Sequence, residues 1–322
     1  MSKRIYKELI KFAIMAPSGH NTQPWKFVLH ENEIQIHPDY SRMLPVVDTD
    51  NHALWISLGC ALENLVIAAT NFNQKSEVSI HVENESLKFI RVKLTLPCTT
   101  DRDDLFDYIE KRQSTRNKYS GNKIPEQDLK ILRDSFDFQG VSARFFGQNE
   151  FQLLEPFIIE GSDRQFRNKK FVTELIQWCR FSGKEAKGRR DGLWTELLGL
   201  PNVGRFIGTI IMKHLISPES EAKRWRKLIS SSSGFALFIA DKNDITHWVN
   251  LGRAFQRFAL TATKLNMSHA HVNMPCEEIE VRKTMAERLE LSGKHPLLLI
   301  RFGYSNKMPY SFRRPADEVV TP

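Results

Sequence analysis

The chain has 322 residues, 41% of them hydrophobic and 26% charged, which is an ordinary globular composition with material for a sizeable core. Its formal net charge is +8, which admits an anionic ligand, a membrane surface or nucleic acid without choosing among them. Lys7, Glu8 and Lys11 interrupt the first apolar stretch, which excludes a signal-peptide core, and no apolar run approaches the length of a membrane span.

Ile5, Leu9, Phe12, Ala13 and Met15 recur at helical spacing and predict an opening amphipathic helix. It ends at Ala16-Pro17-Ser18-Gly19, and a loop of small polar donors, His20 to Trp25, follows. Lys26 to His30 and Glu33 to His37 read as a hairpin turning at Glu31-Asn32. Asn51 to Asn71 is apolar nearly all round and predicts a buried helix. Strands are expected over Glu77 to Val82 and Leu87 to Leu96, then a charged helix from Asp101 to Lys111.

Arg112 to Arg116 reads RQSTR. Two guanidiniums and a hydroxyl at alternate positions suit a small dianion, because Arg forks grip phosphate bidentately and Ser adds a neutral donor. A solvated helix end could carry the same residues. A helix is expected over Glu126 to Ser135 and a strand over Val141 to Phe146. From about 150 to 232 the texture changes. Arg180 to Lys227 holds eleven Lys or Arg against five Asp or Glu, and Gly199, Gly204 and Gly208 break the apolar stretch from Leu197 to Ile216. This is expected to be an inserted helical lid over an anionic cofactor or substrate. No nucleic-acid-binding module is recognisable in it. A strand over Gly234 to Ala240, a long helix over His247 to Leu265 and a strand over Pro296 to Tyr304 complete the chain.

The two long helices repeat one another. At a constant offset of 193, Leu58, Gly59, Ala61, Ala69, Thr70 and Asn73 recur as Leu251, Gly252, Ala254, Ala262, Thr263 and Asn266. Such matching predicts two copies of one unit, whose small residues let the helices cross closely. The site motifs do not repeat. The first half alone has the Pro17 to Trp25 loop, and the second alone has RQSTR and the terminal Arg313-Arg314-Pro315. One composite site is therefore expected. The lid is expected in the part of the second copy that lacks the loop motif.

APSGHNTQPWKF, RQSTR and RRPADEVV after PLLLIRFGY resemble the flavin-dependent nitroreductase family. With HPDYSRMLPVVDTDN and ISLGCALENL, the chain resembles its Acg-like branch, in which two nitroreductase-like halves are fused. The resemblance implies an α+β nitroreductase-like fold of two halves, 1–100 and 101–322, each with a mainly antiparallel sheet flanked by helices. It implies FMN between them, with NAD(P)H as electron donor and a nitroaromatic or quinone-like acceptor. Arg112, Ser114 and Arg116, with Arg313 or Arg314, would hold the phosphate. Pro17, Ser18, Gly19 and Asn21 would line the isoalloxazine, Gln23, Pro24 and Trp25 would anchor their loop, and Asn273 and Pro275 would pass near the flavin. No side chain is assigned as catalytic acid or base, since the chemistry is the cofactor's. A second function, storage of flavin without catalysis, follows if the lid stays closed.

The fused halves would bury the family's dimer interface inside one chain, which admits a monomer. The scattered cysteines Cys60, Cys98, Cys179 and Cys276 fit reduced thiols and a cytoplasmic location. No metal site is expected. His269-x-His271 lacks a third ligand at suitable spacing, and a structural or solvent-exposed role is expected for both. Cys60 is expected in the core.

Overall fold

The computed structural model describes residues 3–84, 87–96, 101–200 and 202–321, so Cys98 lies outside the described residues. The first half runs α1 (Lys3–Ala13), β1 (Trp25–His30), β2 (Glu33–Pro38), α2 (His52–Asn71), β3 (Lys75–Asn84) and β4 (Leu87–Thr95). The second runs α3 (Glu126–Arg133), β5 (Val141–Phe146), a long insertion, β8 (Gly234–Ala240), α9 (Ile245–Lys264), β9 (Ser268–His271), α10 (Met274–Glu277), α11 (Ile279–Arg288) and β10 (His295–Gly303). The insertion holds α4 (Glu155–Arg167), α5 (Lys169–Trp178), β6 (Cys179–Arg180), α6 (Gly183–Arg189), β7 (Leu193–Trp194), α7 (Arg205–His214) and α8 (Pro218–Ser230). The chain closes with α12 (Ala316–Val319) and β11 (Val320–Thr321).

The fold is α+β, and its two main sheets have the same strand plan. The first is ordered β11-β1-β2-β4-β3 and the second β5-β8-β10-β9. Hairpin, long helix, hairpin thus recurs, with β1, β2, α2, β3 and β4 matching β5, β8, α9, β9 and β10. Pairing within each set is antiparallel. The exception to symmetry is β11, which returns from the C-terminus to pair parallel with β1, Phe27 facing Val320. It ties the end of the second half into the first half's sheet and carries the preceding arginines with it.

The helix repeat has a structural cause. α2 and α9 cross with Gly59 against Gly252. A Cβ on Gly59 would lie 2.2 Å from the Val249 carbonyl oxygen, and one on Gly252 would lie 2.1 Å from that of Ile56. Ile56 and Val249 are themselves partners at the 193 offset, so the crossing is two-fold symmetric at backbone level. The helix ends match too: Gln74 N–H donates to Ala69 O and Met267 N–H to Ala262 O, with Asn73 and Asn266 left-handed at φ 57° and 56°. Glu63, almost wholly buried on α2, accepts from Arg253 and Arg257 of α9 at 2.7 and 3.0 Å. By length and mean hydropathy (1.6) α2 could cross a membrane, contrary to the expectation that no such run exists; 83% of that stretch is buried in this core, which accounts for its apolarity.

Two further expectations are corrected. The segment 101–111 forms only a 3-10 turn at Asp104–Tyr108 rather than a helix. Its acids are drawn sideways instead: Asp103 pairs with Arg257 at 2.9 Å, and Asp104 pairs with Lys264, both partners on α9. The insertion does not stand in place of the loop motif. It lies between β5 and β8, where the first half has the tight Glu31-Asn32 turn, so it replaces a hairpin turn. β9, α11 and β11 were not anticipated. β9 and β11 are very short, and α11 buries little beyond Val281, Arg282 and Met285, so neither gives a strong periodic signal.

Candidate functional site

The loop after α1 is held in a conformation that L-residues seldom adopt. His20, Asn21 and Gln23 have φ of 46°, 55° and 53°. Its own polar groups hold it there. Ser18 Oγ accepts from Gln23 N–H at 2.9 Å, Gln23 donates to Arg190 O at 2.8 Å, and Gln23 Oε1 accepts from Arg314 N–H at 2.8 Å. Asn21 Nδ2 donates to Gly192 O and Phe312 O, both at 3.1 Å, and its Oδ1 accepts from Arg313 at 3.0 Å. The loop therefore knots together the insertion, the C-terminal segment and α1. Trp25 is fully buried, as its expected anchoring role requires.

RQSTR runs as an extended coil beside β9. Ser114 bridges to His269, and Thr115 N–H donates to His269 O at 2.9 Å. Arg112 is 4% exposed and donates one N–H to Met15 O at 3.1 Å, while its Nε and Nη1 find no partner. Arg313 likewise has an unpartnered buried Nε. Burial is the main cause that lowers the pKa values, Arg112 and Arg116 to about 10 and Arg313 to about 9; Arg116 lowers Arg112 further, Arg224 and Arg301 lower Arg116, and Arg112 and Arg116 lower Arg313. Arg112 and Arg116 both act on Arg313, and no carboxylate figures among the groups acting on any of the three. Arg112 and Arg313 thus carry unmet N–H groups, and Arg116 adds a third neighbouring cation, an arrangement that suits an anion.

Arg314 is not part of it. Its guanidinium donates to Glu318 O at 2.9 Å and lies among Arg42, Asp39, Glu318 and Asp191, so it secures the C-terminal helix. Arg301 was missed. It is 1% exposed on β10, donates to Asn117 O at 2.8 Å, lies 4.0 Å over the Tyr119 ring, and has unpartnered Nε and Nη1.

Beside this cluster is a cavity of about 270 Å³, near the lower end of ligand pockets, which run from about 300 to 1,000 Å³. The first half supplies Pro17, Ser18, Gly19, Ser57 and Cys60. The second supplies Arg116, Phe255, Ala270, His271, Asn273 and Arg301. The insertion roofs it with Phe166, Phe171, Leu175, Met212, Ile216 and Trp225. Arg112, Ser114, Arg313 and Asn21 stand outside this lining. Pro275 also does, packed under Gly161, where a Cβ would lie 3.0 Å from its nitrogen. Asn273 lines the cavity while its Oδ1 accepts from Leu299 N–H at 3.0 Å.

The cavity draws on both halves, and its α2 wall is not repeated on α9. Ala53, Ser57 and Cys60, which line the cavity on α2, correspond on α9 to Thr246, Asn250 and Arg253, and Arg253 is engaged by Glu63. Cys60 is both core and wall, its thiol pushed up by burial and donating to Gly252 O at 3.2 Å.

Two histidines face the cavity, His20 and His271, the latter half of the His269-x-His271 pair. Burial, with Arg116 as a second cause, lowers His20 to about 4 and His271 to about 3. His269, wholly buried and edge-on to Phe255, is lowered well below 6.5 for the same reason, so neither His269 nor His271 is a solvated group. Glu277 is raised by burial; its oxygens accept from Gln165 at 2.8 Å and Asn273 at 3.4 Å. Asp48, Asp50 and His52 bring three ligand-type atoms within 4.8 Å of one another. Their oxygens are already used: Asp48 caps α2 through Ala53 and Leu54 N–H at 3.0 and 2.8 Å, and Asp50 pairs with Arg282 of α11 at 2.8 Å.

No protein-family model matches the chain. It is 21% identical over 324 residues to "Putative NAD(P)H nitroreductase Rv3131" of Mycobacterium tuberculosis, covering 98% of this chain and 90% of that one. Among solved structures it is similar to the FMN-dependent nitroreductase NfnB of Mycobacterium smegmatis in complex with NADPH (13% identity, 62% of this chain and 86% of that one, TM-score 0.41). It is also similar to a nitroreductase-like family protein of Bacillus cereus (12% identity, 68% and 96%, TM-score 0.40). The similarity to the mycobacterial protein extends along nearly the whole chain.

Proposed function

We propose that the chain is an FMN-binding oxidoreductase that takes electrons from NAD(P)H and passes them to a nitroaromatic or quinone-like acceptor. The observation that carries this reading is the Arg112, Arg116 and Arg313 cluster, in which Arg112 and Arg313 have unmet N–H groups, set beside an apolar cavity between two like halves. The two halves, about 1–100 and 101–322, act as a fused pseudo-dimer of the Acg-like kind, with one site per chain. The residues fit the cofactor. Three guanidiniums match a phosphate dianion, and Pro17, Ser18 and Gly19 leave room for a flat ring to approach backbone. Arg112, Arg116 and Arg313 would hold the phosphate, with Arg301 adding charge from β10.

Bound there, the flavin supplies the hydride and electron chemistry. The chain's own contribution is positional. The strained loop fixes Gly19, Asn21 aims Arg313, and the apolar roof excludes water. The neutral histidines leave the cluster's positive charge for the ligand without adding to it.

A second reading, flavin storage, is favoured by how firmly the roof is tied down. Glu174 of α5 accepts from Val46 and Val47 N–H at 2.9 and 3.1 Å, Arg42 pairs with Asp191, and Asn21 holds Gly192. The insertion, read as a lid, would then block a nicotinamide. Anaerobic addition of NADPH to the flavin-loaded protein separates the two. Rapid bleaching supports the oxidoreductase. A flavin that resists NAD(P)H but yields to dithionite supports storage.

A further inference from the structure

A second hollow, of about 380 Å³, adjoins the cavity on its insertion side. Its charged lining is Arg116, Lys118, Lys223, Arg224 and Lys227, and no Asp or Glu lines it. The cations come from separate stretches, the coil after RQSTR and one side of α8. Lys223 and Lys227 are four apart on that helix, a like-charge spacing that disfavours the helix by a few tenths of a kcal/mol unless something answers it. Among the described residues no carboxylate lies within ion-pair reach of Arg116, Lys118, Lys223 or Lys227. Arg224 has Glu221 at 3.1 Å. Among the described residues, exposed Lys169, Lys170 and Lys213 also lack an ion pair, so what distinguishes the hollow is that five cations converge on one concave lining.

The hollow is joined to the cavity. Arg116, Leu198, Arg224 and Leu228 line both. A ligand seated in the hollow therefore abuts whatever occupies the cavity. Its chemistry calls for a compact polyanion, since Lys ammoniums act as point charges on phosphate. Ser220 and Asn117 add neutral polar groups to the lining.

We propose that this basic hollow binds the phosphate monoester of a nucleotide whose remainder reaches the cavity, so that Lys118, Lys223 and Lys227 select a phosphorylated donor, NADPH over NADH. The inference rests on the flavin reading for its purpose, though the hollow itself is testable without it. The experiment is calorimetric titration of the FMN-loaded protein at low salt with adenosine 2′,5′-bisphosphate, adenosine 5′-monophosphate and inorganic phosphate. The bisphosphate should bind at least about tenfold more tightly than the monophosphate, with affinity falling steeply as salt is added. A triple variant, Lys118→Gln, Lys223→Gln and Lys227→Gln, should bring the two nucleotides within about twofold while retaining FMN.

Equal affinity for both nucleotides in the unaltered protein overturns the proposal. So does a triple variant that still discriminates. Inorganic phosphate binding as tightly as the bisphosphate overturns the nucleotide assignment, because the hollow would then recognise phosphate alone. If the protein binds no FMN, the flavin reading fails separately, and the same titration of flavin-free protein still tests the hollow.

Discussion

Arg112→Met should act with opposite signs on the empty and the loaded protein. Arg112 is 4% exposed, and its pKa falls from 12.5 to about 10, chiefly through burial. At about 1.4 kcal/mol per pH unit, holding that charge in place costs up to about 3 kcal/mol. Met keeps most of the volume and removes the charge, but forfeits the bond to Met15 O, worth about 1 to 2 kcal/mol once the acceptor is left bare. The flavin-free variant should therefore be more stable by about 1 kcal/mol in urea unfolding. FMN binding should weaken, because a hydrogen bond from a charged donor is worth about 1.5–3 kcal/mol, roughly 10- to 100-fold in Kd. Fluorescence titration with FMN and urea melts with and without ligand read both arms. FMN affinity within about twofold of the parent, with a flavin-free protein that has lost stability, would refute the clamp and make Arg112 a structural residue.

Other consequences follow from the same geometry. Gly59→Ala and Gly252→Ala should each destabilise by about 1–3 kcal/mol despite the better helix propensity of Ala, because each Cβ meets backbone rather than a movable side chain. Urea midpoints should fall alike for the two, and a neutral result at either site contradicts the symmetric crossing. His269 stays neutral in the fold while it charges in the unfolded chain below about pH 6.5, so the unfolded state binds the extra proton. Stability is full above 6.5 and declines on acidification by about 1.4 kcal/mol per pH unit, about 2 kcal/mol by pH 5. His269→Phe should flatten that arm in melts at pH 7 and pH 5, and an unchanged slope would count against it. Asn21→Ala should leave Arg313 unheld and free the insertion at Gly192, weakening FMN about tenfold with little change in cavity-facing residues; unchanged FMN affinity argues that Arg313 needs no such guide.

The parts of this protein that announce themselves in sequence are those that obey a repeating rule. The 193-residue echo is visible because backbone contact between α2 and α9 admits only Gly at 59 and 252, and both helix ends need Asn in the left-handed region. RQSTR is legible as a candidate anion clamp because its residue types carry the chemistry wherever the coil goes. The choice between Arg313 and Arg314 stays open in the sequence because adjacent residues in an extended segment point opposite ways, which composition does not reveal. Arg301 left a trace that could have been followed, a lone charge inside the otherwise apolar strand PLLLIRFGY. His20 left none, since the arginine that acts on it comes from a distant segment, and His269-x-His271 showed only as a pair too short of ligands for a metal. The segment 101–111 reads as a helix by charge spacing, yet its acids serve cations on α9, and tertiary ion pairs decided its shape.

One flavin site per chain, made jointly by the two halves, is the arrangement proposed. Native mass spectrometry of the protein reconstituted with excess FMN measures this directly, alongside its visible spectrum. The expected result is a yellow protein carrying one FMN per chain, with occupancy sharply reduced in Arg116→Ala. A colourless protein that takes up no FMN, or one that binds two per chain, would contradict it.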